Sequence, residues 1–123
     1  MESKLVNLLD ILYRAAPKEH NKFGFESEFQ SRVRASLNSR DLKSFISKLI
    51  RKLGIKIDSI YTKENEDLFD FSDLDEKEAI AYLRENLEYV LVLGKIKREQ
   101  ERELRKTKYE QKNLFEGDEK WKM

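Results

Sequence analysis

Basic side chains are concentrated in one part of this chain, and their spacing suits the binding of a negatively charged partner. Between residues 32 and 56 eight lysines and arginines stand against one acid, Asp41, although the net charge of the 123 residues is only +1. The following stretch, residues 57 to 79, has nine acids and two lysines. Positive charge concentrated on a helix attracts phosphate groups, and nucleic acid is the commonest partner of this kind.

A helix from about Leu42 to Leu53 is predicted to position the basic residues. Its apolar residues recur at helical spacing and cover an arc of about 140°. These are Leu42, Phe45, Ile46, Leu49, Ile50 and Leu53. Ser39 is the expected N-cap, and Gly54 suits the left-handed position at the end. The opposite arc carries the predicted nucleic-acid-binding residues Arg40, Lys43, Ser44, Ser47, Lys48 and Arg51. The alternative is an ordinary amphipathic helix whose basic face is solvated and pairs in part with the acidic stretch.

The remaining elements are predicted from apolar periodicity and from residues that start or end helices. One helix spans Leu5 to Ala16, with Ser3 as its cap and Pro17 ending it, and a second spans about Phe25 to Leu37. Apolar and polar residues alternate from Ile55 and again from Leu68, which predicts a short β-hairpin. Ser72 or Asp73 then caps a further helix. The expected fold class is mainly α, a helical domain with a small β-hairpin and a long C-terminal helix.

This order of elements resembles a winged helix-turn-helix domain over about residues 5 to 71. The turn and the second helix carry the resemblance, through residues 34–42 (RASLNSRDL) and 47–55 (SKLIRKLGI). The resemblance implies that the helix from residue 40 to 53 is a recognition helix lying in the major groove. It implies a wing at the hairpin, although Glu64, Glu66 and Asp67 make that segment acidic, whereas wings that contact DNA tend to be basic.

The last helix is predicted to be unusually long, because no proline and one glycine, Gly94, occur between Leu74 and Phe115. Its first half is apolar on two sides, so one side is predicted to bind a partner, a second copy of the chain being one candidate. The predicted interface consists of Tyr82, Tyr89, Leu93 and Ile96. We therefore divide the chain into a helical domain, residues 1–93, and a charged extension, residues 94–123, which could meet a protein partner.

Other kinds of site find little support in the sequence. The acidic stretch lacks the glycine that a calcium loop needs at its sharp turn, although its acids could imitate a nucleic acid. His20 is the single histidine and there is no cysteine, so no metal pair or thiol nucleophile is expected. No cofactor is expected. Trp121 is a candidate partner anchor in the charged tail, but a solvated terminal residue is the simpler interpretation.

Two classes of function remain after these exclusions. The first is a small DNA-binding protein of transcription regulation, dimeric through the long helix and not an enzyme. The second is a helical adaptor or inhibitor that acts by protein–protein contact. No apolar run approaches the roughly 20 residues that a membrane span needs, and no signal-peptide pattern opens the chain, so a cytoplasmic location without membrane contact is expected.

Overall fold

The computed structural model describes residues 2–18 and 24–122, and for residues 107–122 it describes the backbone alone. Within these ranges the chain forms five α-helices: α1 (Glu2–Ala15), α2 (Phe25–Ser36), α3 (Leu42–Leu53), α4 (Glu76–Glu85) and α5 (Leu87–Lys122). Two short 3-10 turns, Ile57–Ser59 and Glu66–Phe69, lie between α3 and α4. The fold is therefore helical, and no strand occurs in the ranges given.

A single apolar core joins the helices, with α1 packed on α5, α2 on α3, and α3 on α4. Phe29, Phe45, Leu8, Leu49 and Leu83 are among its fully buried side chains. The apolar stripe of α3 contributes to this core, as the periodicity predicted. Because burying a large apolar side chain stabilises by about 1.5–3 kcal/mol, the core fixes which face of α3 points outward.

The predicted β-hairpin is wrong. Residues 55 and 57 would share one face of a strand, yet Ile55 is buried and Ile57 is exposed. The backbone amides of Ser59, Ile60 and Tyr61 instead donate to carbonyls three or four residues earlier, so local turns use the groups that a ladder needs. Ile60, Leu68, Phe69 and Phe71 complete the core from these turns. The wing that the winged-helix resemblance implied is therefore absent from this fully described segment.

The predicted N-caps need correction, whereas the predicted starts of α2 and α3 and the predicted end of α3 agree with the structure. Asp41, not Ser39, caps α3, because its side chain accepts a hydrogen bond from the Ser44 amide. Asp75, not Ser72 or Asp73, caps α4 by accepting from the amides of Lys77 and Glu78. α1 is already helical at Glu2, so Ser3 lies inside it. Gly54 adopts the predicted left-handed conformation, with φ of 69°.

The long C-terminal helix is interrupted at Asn86, which separates α4 from α5. The backbone amide and the side-chain amide of Asn86 both donate to the Tyr82 carbonyl, each at 2.9 Å. The Asn86 carbonyl then accepts from Val90, and α5 begins at Leu87. α5 continues through Gly94, and its side chains contact α1 as far as Glu101. The domain boundary after residue 93 stays a prediction.

Candidate nucleic-acid interface

The outward face of α3 carries the side chains that the sequence predicted to bind nucleic acid. Arg40, Lys43, Ser44, Ser47 and Arg51 are exposed, and Lys48 is half-buried. Arg51 lies almost directly opposite the buried stripe, and Ser44 and Ser47 lie on the same outward side of the helix. Five of the six residues lie on the outward side of α3, and Arg40 lies just before its N-cap. We call these six residues the α3 face.

Hydrogen bonds stiffen the edges of the α3 face. The Lys48 ammonium donates to the Asn38 carbonyl at 3.0 Å and so ties the middle of α3 to the preceding turn. The Arg32 guanidinium, from α2, bonds both the Glu28 carboxylate and the Lys52 carbonyl near the end of α3. The helix is consequently held at both its turn and its C-terminal end.

The charges of the α3 face are not neutralised by the acidic stretch that follows. Among residues whose side chains are described, no ion pair joins Arg40, Lys43, Lys48 or Arg51 to a carboxylate. The acidic stretch pairs elsewhere: Asp73 lies 3.3 Å from the Lys4 ammonium of α1. No salt bridge between the two charge blocks is therefore found in this part of the chain, although Glu76 of the acidic stretch bonds the Lys43 backbone amide.

Carboxylates occupy the N-terminus of α3, and this feature was missed from the sequence. The Asp41 Oδ1 atom accepts from the Ser44 amide at 2.8 Å, and the Glu76 Oε1 atom accepts from the Lys43 amide at 2.9 Å. The hydrogen bonds from Ser44, aided by the nearby charges of Arg40 and Lys43, lower the pKa of Asp41 below its usual value. Since these amides are already bonded, an anion at α3 has to be bound by side chains.

The predicted partner interface is divided by the break at Asn86. Tyr89 and Ile96 are 52% and 42% exposed, whereas Leu93 is half-buried against the core. Tyr82 lies on α4, and its hydroxyl donates to Glu2 at 2.8 Å, which raises the pKa of that tyrosine. Val92, which is not part of the predicted interface, is 51% exposed. Tyr89, Val92 and Ile96 lie at i, i+3 and i+7 and form one exposed apolar strip, which we call the α5 strip.

A polar cluster between α1, α2 and α5 was also missed. Asp10 is 3% exposed and lies near three cations, those of Arg14, Lys97 and Arg98. The sequence does hold a signal, because Asp10 lies between Val6 and Tyr13 on the apolar side of α1. An acid on a buried face is expected to have a cationic partner.

Comparisons of the chain with protein-family models, with curated proteins and with solved structures found no match. In the part of the chain that the structure describes, no group of three or more acids or histidines is placed to hold a metal ion. No helix there is long and apolar enough to cross a membrane.

Proposed function

We propose that this protein binds duplex DNA through the α3 face and acts as a small regulatory protein. The observation that carries the proposal is the exposed row of cationic side chains on a helix whose orientation the core fixes. Phosphate contacts by lysine and arginine supply much of the affinity of proteins for DNA. Arginine also bonds guanine through two donors, and serine reaches phosphates or base edges.

Because the hairpin is absent, the proposal places the DNA contacts on α3 itself rather than on a wing. Arg51 provides a planar guanidinium group at the centre of the face, and Arg40 provides a second one just before the N-cap. Lys43 and Lys48 provide phosphate contacts at its edges, and Ser44 and Ser47 lie between them. The carboxylates of Asp41 and Glu76 occupy the Ser44 and Lys43 amides at the start of the helix, so phosphates there are bound by side chains.

The salt dependence of DNA binding tests this proposal. If the four cations of the α3 face each contact one phosphate, the slope of log affinity against log salt is about −3.6. Replacing Lys43 and Arg51 by glutamine removes two contacts and halves that slope. At 0.15 M salt, counterion release contributes about 1 kcal/mol per contact, so the double variant binds about 30-fold more weakly. Fluorescence anisotropy with a labelled duplex measures both quantities.

A matched control replaces Lys63 and Lys77 by glutamine, which removes the same charge from the acidic stretch. We expect this variant to keep the slope and to lose less than about threefold in affinity, because only long-range attraction changes. Equal losses in both double variants, or a wild-type slope near zero, would show that the α3 face is not the DNA-binding surface.

The α5 strip favours self-association as a second element of the proposal. Three consecutive exposed apolar side chains on one helix face suit contact with the same strip of a second copy. A symmetric dimer would present two α3 faces to inverted half-sites. Light scattering at micromolar concentration should show a dimer, and Val92→Asp should give a folded monomer. A wild-type monomer at all concentrations would remove this element.

The same strip also suits the other class of function, a helical adaptor or inhibitor that binds another protein. The two candidate functions predict different effects of Val92→Asp on DNA binding. Loss of the dimer should weaken binding to a duplex with two half-sites much more than binding to one half-site. An adaptor shows no measurable binding to either duplex, in wild type or variant.

A further inference from the structure

A second positively charged feature lies away from α3, where α1 crosses α5. Here a recess of about 200 Å³ is lined by Arg14 of α1 and by Arg98, Glu101, Arg102 and Arg105 of α5. The three arginines of α5 follow one another at i, i+4 and i+7, so their guanidinium groups lie along one side of the helix. We call this feature the arginine recess.

Two of the four arginines are held in place by other contacts. The Arg98 side chain is 14% exposed, and its Nη2 atom donates to both Glu26 oxygens, at 3.0 and 3.2 Å. Its guanidinium also stacks 3.8 Å from the centre of the Tyr13 ring. Arg14 donates through Nε to Asp10 at 3.1 Å and through Nη2 to Glu101. A guanidinium has five N–H donors, so donors remain on groups whose orientation is already fixed.

The charge of the surrounding cluster is positive after these pairs are taken into account. Among the side chains that the structure describes, six cations lie around three carboxylates: Arg14, Lys18, Lys97, Arg98, Arg102 and Arg105 against Asp10, Glu26 and Glu101. The Lys18 ammonium lies over the rings of Tyr13 and Phe25 and is sensitive to this positive charge. Its pKa is lowered by burial and then by the positive charges of Arg98 and Arg14. An anion entering the recess therefore finds an excess of positive charge.

We propose that the arginine recess is a phosphate-binding site, separate from the α3 face. Arg14 and Arg98 form its fixed wall, while Arg102 and Arg105, both exposed, supply guanidinium donors that close on the ligand. Paired N–H donors of arginine match the oxygens of a phosphate group. The shared chemistry is a phosphate group, carried either by free phosphate or pyrophosphate or by the backbone of a nucleic acid.

Titration with inorganic phosphate and with pyrophosphate tests the site. Side-chain and backbone NMR signals are followed while sodium chloride keeps the ionic strength constant. We expect saturable shifts of the Arg14 and Arg98 Nε–H signals, with pyrophosphate binding more tightly than phosphate. Arg102→Gln with Arg105→Gln should weaken pyrophosphate binding by about tenfold or more, because two charge-assisted contacts are lost.

The matched control carries Arg40→Gln and Arg51→Gln, which removes two exposed arginines from the α3 face. This control should bind pyrophosphate like wild type while losing affinity for duplex DNA, so the two proposals can fail separately. Circular dichroism should show both variants to be folded. Shifts that chloride alone reproduces, or equal weakening in both variants, would overturn the phosphate site.

A competition experiment identifies the source of the phosphate group. A short oligonucleotide that displaces pyrophosphate from the recess supports a site for the nucleic-acid backbone. An oligonucleotide that binds without displacing pyrophosphate supports a site for free phosphate or pyrophosphate.

Discussion

Replacing Asp10 by asparagine should destabilise the fold by about 2 kcal/mol. The Asp10 Oδ2 atom accepts from the Arg14 Nε atom at 3.1 Å and lies 3.7 Å from the Lys97 ammonium. Its Oδ1 atom lies 3.5 Å from Arg98 but has no hydrogen-bond partner. The carboxylate is therefore held mainly by the three positive charges, and asparagine, of the same shape, removes its charge and turns a donor toward them.

The size of this destabilisation depends on how much stabilising interaction each cation loses when Asp10 is replaced. Leaving a buried charge without its partner costs about 3–5 kcal/mol. Arg98, the most buried of the three cations, keeps Glu26 as a second partner and so loses less than this. The Arg14 and Lys97 side chains are substantially exposed, and exposed pairs contribute at most about 1 kcal/mol each. The sum of these reduced losses is near 2 kcal/mol, or about 8 °C in Tm for a chain of this size.

Urea unfolding followed by circular dichroism measures the change, and Asp73→Asn is the matched control. Asp73 pairs with Lys4 at 3.3 Å but is mostly exposed, so its replacement should cost less than about 0.5 kcal/mol. The Asp10 variant should also bind pyrophosphate more tightly than wild type, since one negative charge behind the arginine recess is gone. A loss of stability no larger than that of the control would refute the role assigned to Asp10.

Two further predictions concern the ends of helices. Truncation after Lys106 should leave the free energy of unfolding nearly unchanged. Truncation after Gly94 should lower it by several kcal/mol, because it removes Arg98 and its ion pairs. Equal midpoints of urea unfolding for the two truncated chains would contradict this prediction. Asp41→Ala should destabilise α3 at pH 7, whereas Asp41→Asn keeps a cap acceptor. Because the pKa of Asp41 is lowered in the folded state, its stabilising effect is present above about pH 3.8 and is lost on further acidification. Thermal melts from pH 7 to pH 2 should therefore show wild type losing stability relative to Asp41→Asn, and parallel curves would refute the prediction.

The strongly periodic parts of the sequence predicted their structure well. α3 and its buried stripe follow from apolar spacing alone, and Gly54 ends the helix because a left-handed residue is needed there. Pro17 likewise marks the end of α1, since proline disfavours helix in the residue before it. In these places local preference and tertiary packing favour the same structure, so one sequence suffices to find it.

The wrong predictions concern segments whose structure is determined by tertiary contacts rather than by local sequence preference. The alternation that starts at Ile55 is compatible with a strand, but here Ile60 and Phe69 reach the core from 3-10 turns instead. The break at Asn86 has no proline or glycine signal in the sequence, and the structure shows it in the non-helical backbone of Asn86, with φ of −120° and ψ of 22°. The α3 face could be predicted because five of its six residues lie on one helix and Arg40 lies just before the N-cap. The arginine recess could not, since its walls come from helices more than eighty residues apart in sequence, as Arg14 and Arg98 show.

Among the described side chains, the cations of α3 form no ion pair with the acidic stretch, although Glu76 of that stretch reaches the start of the helix, and this bears on both proposals. Asp73 pairs with Lys4 on α1, and Glu76 bonds the start of α3, while the exposed cations of α3 keep their charge. A chain with a net charge of +1 therefore carries strongly positive local surfaces. Since charges interact over about a Debye length, roughly 8 Å at physiological salt, a phosphate at the α3 face responds to that surface and not to the total. A near-neutral net charge is thus no argument against binding nucleic acid, and the salt slope is the quantity that measures the local charge.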